Sequence, residues 1–515
     1  MIPMTLARVA EIVGGRLDGV DDPSALVTGT VEFDSRTVTP GGLFLALPGE
    51  RVDGHDYART AVDAGALAVI AARPVDGPAI VVPPAPDSGP SRAMALEHDR
   101  DGAGAAVLHA LAELARVSTR ELAERGLTVV GITGSAGKTS TKDLVAAVLA
   151  PLGEVVAPPG SFNNELGHPW TALRADESTR FLVLEMSARG TGHIAQLARI
   201  APPRIGVVLN VGTAHLGEFG SRDAIAQAKG ELVEALPAAD DGGIAILNGD
   251  DSRVVPMSLR TTARVVYVGL NASAGVRATD VVLDPSARAQ FTLTTQTESA
   301  PVRLAVHGEH QVGNALAAAA VGLECGADLA TVVRALEGAG PVSARRMAVH
   351  ERPDGVTVVD DSYNANPDSM RAALKALVTM AKSDRTSERR SWAVLGEMAE
   401  LGDDTITSHD ALGRLAVRLD VSRLVVVGTE RPTRALHQGA VMEGSWGDEA
   451  VLVPDVDAAV ALLREELAPG DVVLVKASQA AGLWRVAEAI TGDGTDNGDG
   501  TDNGDGTDNE AGGRA

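Results

Sequence analysis

The residues of this chain best suited to chemistry lie in Gly131-Ile132-Thr133-Gly134-Ser135-Ala136-Gly137-Lys138-Thr139-Ser140. Glycines let backbone N–H groups close on phosphate oxygens, and a helix starting just after them adds a partial positive charge. On this reading Thr133, Gly134, Ser135, Ala136 and Gly137 wrap the phosphates of ATP. Lys138 faces the β- and γ-phosphates, and the Thr139 hydroxyl is a ligand for Mg²⁺. The spacing departs from the commonest P-loop, because the position five before Gly137 is Ile132. The fit is to a shorter Gly-x-x-Gly-Lys-Thr form.

Three further residues stand out. Glu185 closes the apolar run Phe181-Leu182-Val183-Leu184, and His215 ends Asn210-Val211-Gly212-Thr213-Ala214-His215. Both fall where parallel strands are expected to end, the side on which α/β sheets bind ligands. Mg²⁺ takes hard oxygen ligands and keeps some water, so Glu185 with Thr139 suffices for one ion. The plainer readings are a helix-capping glutamate and a structural histidine. Lys229 falls on the apolar face of a helix expected over 221–236, four residues after Ile225 and three before Leu232. Either it snorkels from the edge of that stripe, or it is held near metal ions. A bare ammonium there would repel Mg²⁺, and N-carboxylation by CO₂ would turn it into an anion.

Alternating strands and helices must position these groups. Leu127-Thr128-Val129-Val130 reads as a buried strand, and Leu144, Val145, Val148 and Leu149 mark one face of the helix after the turn. Further strands are expected at 181–185, 204–210 and 244–248, giving a doubly wound, mostly parallel sheet over 126–340. A smaller α/β domain is expected over 1–125, with strands at 27–33 and 41–47, a helix near 58–64 and a loop at 83–92. A third spans 341–490, with strands at 356–360, 392–395, 424–427 and 472–475. There Asn366-Pro367-Asp368 is a helix start, with Asn as cap and Pro in the first turn.

Gly-Asp-Gly-Thr-Asp-Asn occurs three times from 492 onward. The repeat has no apolar residue to bury and lacks the terminal Glu of an EF-hand loop, so 491–515 is expected to be a disordered acidic tail. The tail carries six Asp and one Glu against one Arg, part of a net charge of −24 over 515 residues. That charge disfavours non-specific nucleic-acid binding. The single cysteine, Cys325, excludes an intramolecular disulfide and a cysteine-based zinc site, and suits a reducing cytoplasm. No basic n-region opens the chain, and no apolar stretch is long enough to span a bilayer.

Taken together, the motifs resemble the Mur ligases over about residues 4–490. The resemblance rests on Asp34-Ser35-Arg36, Pro40-Gly41-Gly42-Leu43-Phe44, Asp53-Gly54-His55 and the phosphate loop. It also rests on Ser161-Phe162-Asn163-Asn164-Glu165-Leu166-Gly167-His168-Pro169, Gly192-His193-Ile194, Asn210 to Leu216 and Ala228-Lys229-Gly230-Glu231-Leu232. Asp361-Ser362-Tyr363-Asn364-Ala365-Asn366-Pro367 and Leu395-Gly396-Glu397-Met398 complete it. It implies three domains: one for the UDP-sugar end, a central ATPase, and a Rossmann-like domain that closes over ATP. It implies that Glu185 and His215 align with Mg²⁺ ligands, that Lys229 aligns with a carbamylated lysine, and that Lys138, Lys229 and His215 serve catalysis with two Mg²⁺ ions. Asn314, Arg345 or Arg346, and Asp361 would contact ATP. Asp34, Ser35 and Arg36, with Asn163, Asn164 and Glu165, would hold the UDP-substrate. His168 stands where an apolar residue is commoner and is expected to tune substrate contact. The implied reaction joins D-alanyl-D-alanine to a UDP-N-acetylmuramoyl-tripeptide at the expense of ATP, in a cytoplasmic monomer.

Overall fold

The computed structural model describes residues 1–49, 52–84, 96, 99, 101–158, 160–214, 216–382, 389–445 and 447–492. His215, the tail from 493 and 85–92 of the expected loop lie outside these residues. Among the described residues three larger sheets carry the architecture. The first has five strands in the order Arg16–Asp18, Ala79–Val81, Ala68–Ala71, Leu43–Leu45, Val31–Glu32, all parallel except the first. The strand expected at 27–33 is two short strands, Leu26–Val27 and Val31–Glu32, in different sheets. Gly29 sits between them where a Cβ would lie 2.5 Å from Gly42 N and 2.7 Å from the Pro40 carbonyl. That close approach bends the chain and ends the pairing.

The central sheet has nine strands. Strand Thr128–Thr133 lies between Thr179–Glu185 and Ile205–Val208, parallel to both. The connection from this strand runs one way, to Glu154–Val156, and the connection from Thr179–Glu185 runs the other way across it, to Ile205–Val208. This opens a crevice at its C-terminal end, where α/β sheets bind ligands. Ile244–Asn248, Arg264–Gly269 and Val276–Leu283 extend the parallel array, and Arg288–Thr294 and Ser299–His307 add an antiparallel edge. The helix Lys138–Leu149 lays Leu144, Val145, Val148 and Leu149 on this sheet together with the alanine-rich helix Gln311–Glu324.

The helix Ala103–Glu124 joins the first two sheets. Its Val107, Leu111 and Leu114 share one core with Leu43, Leu45 and Ile70 of the first sheet and with Val129, Leu182 and Leu184 of the second. The last sheet runs Ala348–Glu351, Thr357–Asp360, Val472–Lys476, Ser391–Leu395, Arg423–Val427, Ala450–Val453, antiparallel only at its first pair. Asn366 caps the helix Pro367–Ala381 in a capping box with Ser369. No helix among the described residues is long and apolar enough to cross a membrane.

Candidate active site

The phosphate loop is braced by hydrogen bonds from neighbouring strand ends. Asn210 Oδ1 accepts hydrogen bonds from Ser135 N and Ala136 N, each at 2.9 Å, and its Nδ2 donates to the Ala136 carbonyl at 3.0 Å. Thr133 Oγ1 is buried and donates to the Met186 carbonyl at 2.9 Å, tying two neighbouring strand ends together. Gly137 has φ +85°, and a Cβ there would lie 2.6 Å from Asn314 Oδ1. Glycine is thus required both by the left-handed backbone and by the approach of Asn314. Asn314 braces the loop from behind, whereas Gln311 and His310 at the start of its helix line the cavity.

That cavity has a volume of about 910 Å³ and is lined by residues 135–139 of the loop, by Glu185, and by Asp361 and Lys476 of the last sheet. Lys138 Nζ donates to the Gly134 carbonyl at 2.9 Å. Burial depresses the Lys138 pKa, the Glu185 charge opposes that, and Arg346 adds to it. Glu185 is fully buried at its strand end, and burial raises its pKa against the pull of Lys138, Lys142 and Arg346. Its Oε2 lies 3.4 Å from Asn163 Nδ2, while its Oε1 is buried without a hydrogen-bond partner. A buried carboxylate oxygen left over in this way costs free energy unless something satisfies it. A hard cation shared with phosphate oxygens would do so, and the Thr139 hydroxyl is on hand as a second oxygen ligand. The donors therefore fit Mg²⁺. Among the described residues no group of three His, Cys, Asp or Glu side chains converges as a closed metal cage.

The two adjacent arginines part company. Arg345 and Met347 have φ +58° and +52°, so the chain turns sharply on either side of Arg346. Arg346 lines the cavity, and its Nη2 donates to Ser161 Oγ at 3.1 Å and to Thr139 Oγ1 at 3.4 Å. Its guanidinium lies 4.3 Å over the Tyr363 ring. Arg345 instead stacks 4.3 Å over Trp484 and pairs with Glu488 at 3.2 Å, away from the cavity lining. Of the two arginines left open by the sequence, Arg346 is the one that lines the cavity. Asp361 accepts from Met347 N at 3.1 Å and pairs with the buried Lys476 at 2.6 Å, which sets the height of this segment over the loop.

On the opposite side, Asn163, Asn164 and Glu165 all line the cavity, and Glu165 Oε1 lies 3.8 Å from His193 Nδ1. Asp34, Ser35 and Arg36 lie outside it in an exposed turn, where Arg36 grips Asp34 with Nε at 3.0 Å and Nη2 at 2.7 Å. The turn and the 161–165 loop meet on one side chain. Trp170 touches Phe33 with ring centroids 5.6 Å apart and Phe162 at 4.7 Å, and its indole N–H donates to Glu32 at 3.1 Å. His168, expected to tune substrate contact, is fully buried and off the cavity wall, with Nδ1 3.5 Å from the Glu185 carbonyl. Burial lowers its pKa to about 4.

Ser221 caps the helix Arg222–Glu234 by accepting from Ala224 N at 3.1 Å. Lys229 is buried on this helix, off the cavity lining, and its pKa falls well below the ordinary lysine value through burial and then the Lys138 charge. Snorkelling to solvent is therefore excluded. His215, expected as a metal ligand, lies outside the described residues.

Comparison with known proteins decides the family. The UDP-N-acetylmuramoyl-tripeptide–D-alanyl-D-alanine ligase of Mycobacterium bovis is 62% identical over 96% of this chain and 99% of its own. The chain belongs to the Mur ligase family. Family models described as the Mur ligase family catalytic domain, the Mur ligase middle domain and the Mur ligase glutamate ligase domain match residues 29–119, 132–322 and 345–479. The Escherichia coli ligase of the same description is 32% identical over 96% of this chain and 100% of its own. Among solved structures, MurF from Acinetobacter baumannii superposes with a TM-score of 0.79 at 28% identity, covering 95% of this chain and 99% of that one. MurF from Thermotoga maritima in complex with ADP gives 0.73 at 28%, covering 90% and 98%. The three-domain α/β architecture expected from the Mur ligase resemblance is thus present.

Several residues of this Mur ligase site have no forecast in the sequence reading. Asn210 was visible only as part of a motif, yet it clamps the phosphate loop from 74 residues away. Asp368 accepts from Thr213 N at 3.2 Å and so joins the last sheet's first long helix to the central crevice. Lys476 ends its strand Val472–Lys476 as the only charge in an apolar run, the same signal that singled out Glu185.

Proposed function

We propose that this chain joins D-alanyl-D-alanine to the free carboxylate of UDP-N-acetylmuramoyl-tripeptide, with ATP cleaved to ADP and phosphate, in the assembly of a peptidoglycan precursor. One observation carries the reading. Arg346, from the segment leading into the last sheet, meets Thr139 of the phosphate loop and Ser161 of the adjoining loop beside a buried, unsatisfied Glu185 oxygen. Phosphoryl transfer needs in-line positioning and neutralised charge more than a protein nucleophile. Lys138 and Arg346 supply fixed positive charge where it develops on the transferred group.

The tripeptide carboxylate attacks the γ-phosphate, forming an acyl phosphate and ADP. The dipeptide amine then attacks the acyl carbon, and phosphate leaves with one of the original carboxylate oxygens. Holding both partners in one cavity makes the second step effectively intramolecular and keeps water from the acyl phosphate. Thr139 and Glu185 would hold Mg²⁺, which supplies charge neutralisation between the phosphates. A second ion would require Lys229 as its carbamate, and the depressed pKa of that lysine supports a neutral amine open to CO₂. His215 is read as a further ligand from the family resemblance alone.

Asp34, Ser35 and Arg36 are read as binding the UDP end, and Asn163, Asn164 and Glu165 as lying nearer the reacting end. Domains at 1–125, 126–340 and 341–490 and a monomeric cytoplasmic enzyme complete the reading. The test is ADP release by the purified chain with Mg²⁺. Release that rises only when UDP-tripeptide and D-alanyl-D-alanine are both present is expected. Release independent of either would sink the assignment.

A further inference from the structure

Lys142 is a buried lysine that the reaction does not use. It lies on the helix Lys138–Leu149, four residues past Lys138 and so on the same helix face. It is 1% exposed and does not line the cavity. Its ammonium donates to the Pro158 carbonyl at 2.6 Å and to the Gly160 carbonyl at 3.2 Å. It reaches Ser343 Oγ at 3.5 Å and pairs with Asp143 at 2.8 Å, and Asp143 in turn accepts from Ser343 N at 3.3 Å.

These partners belong to three different parts of the site. Gly160 immediately precedes Ser161, and Ser343 precedes Arg346 by three residues. Arg346 and Ser161 are themselves bonded at 3.1 Å, and Ser161 Oγ lies 2.9 Å from Thr139 Oγ1. The contacts thus close a ring: Lys142 to the Gly160 carbonyl, Ser161 next in the chain to Arg346, Arg346 back along the chain to Ser343, and Ser343 to Lys142. A single ammonium holds the phosphate-loop helix, the loop leading to Asn163–Glu165, and the segment that delivers Arg346. Buried charges stay only where they are fully paired, so these segments cannot part without stranding it.

We infer that Lys142 is a positioning residue that couples nucleotide binding at residues 135–139 to UDP-substrate binding at residues 161–165. The inference rests on the function proposed above. A lysine that only stabilises the fold would leave the two affinities independent. A coupling lysine makes each ligand tighten the other by the same factor.

Binding of UDP-tripeptide is measured by calorimetry with and without a non-hydrolysable ATP analogue, in the unmutated chain, Lys142→Met and Ser343→Ala. The analogue tightens UDP-tripeptide binding by about 5-fold or more in the unmutated chain, the lower end of ordinary coupling. In Lys142→Met each ligand still binds alone and the factor falls to near one. Ser343→Ala removes the linker contact without removing a charge, and it loses part of the factor. No tightening in the unmutated chain overturns the inference, as does an undiminished factor in folded Lys142→Met. If that variant does not fold, an undiminished factor in Ser343→Ala overturns it instead. An unmutated chain that binds no UDP-tripeptide overturns the functional reading, and the inference with it.

Discussion

Arg346 Nη2 donates to Ser161 Oγ at 3.1 Å, across 185 residues of chain. The bond joins the segment entering the last sheet to the loop beside the phosphate turn, and Thr139 Oγ1 lies within reach of the same nitrogen. A cation delivered in this way stabilises transferring phosphoryl charge only while the last sheet is docked, which links docking to chemistry.

Arg346→Ala is therefore expected to lower kcat by about 10²–10³-fold, the usual cost of removing one preorganised donor. Arg345→Ala should leave kcat near normal and cost only about 1 kcal/mol of stability, for its stacking on Trp484 and its half-exposed pair with Glu488. Steady-state kinetics with thermal melts on both variants check this. Equal losses of kcat would contradict the division of labour.

Lys229→Ala is expected to abolish turnover while leaving nucleotide binding, and short carboxylic acids should restore part of the rate. A carbamate requires the neutral amine, which burial beside Lys138 favours. Electron density from crystals grown with bicarbonate, Mg²⁺ and nucleotide gives the direct reading. A bare amine there would refute the modification.

The Asp34-Ser35-Arg36 turn lies outside the main cavity yet is connected to it through Phe33, Trp170 and Phe162. Arg36→Ala should raise the KM for UDP-tripeptide about 10-fold, the loss of one charged hydrogen bond, and leave the KM for ATP nearly unchanged. A parallel rise in both constants would count against a UDP site at this turn.

His168 makes a pH-dependent contribution to stability. Its folded pKa, about 4, is below the ordinary 6.5, because burial disfavours the imidazolium. The stabilisation from keeping it neutral is complete above 6.5 and is lost as pH falls toward 4, with a full span of about 3 kcal/mol. Melting temperatures of the ligand-free protein from pH 7.5 to 4.5 should fall less steeply in His168→Leu than in the unmutated chain. Parallel curves would mean that burial does not lower the imidazole pKa in the fold.

Much of this was legible in the residue order. The strands before Gly134 and ending at Glu185 announce themselves as apolar runs cut off by a glycine turn or a carboxylate. The Asn366-Pro367 helix start and the Ser221 cap are local signals, and both appear as capped helices. The alternation of Ala289, Phe291 and Leu293, all buried on one face, is also a local strand signal for the antiparallel edge, which the strands expected up to 244–248 leave out. Other features had no local signal. Nothing in the order Arg345-Arg346 tells which guanidinium faces the cavity, because two left-handed residues decide it. Asn210 and Lys142 act on segments far away in the chain, and such pairings exist only once the sheets are assembled.

The central claim is that the tripeptide carboxylate is phosphorylated before the dipeptide amine attacks it. UDP-tripeptide labelled with ¹⁸O in its terminal carboxylate, incubated with ATP, Mg²⁺ and D-alanyl-D-alanine, reads that step. Each phosphate released should carry one carboxylate-derived oxygen, matched by its loss from the amide product. Phosphate free of label, with turnover intact, would contradict the acyl-phosphate route.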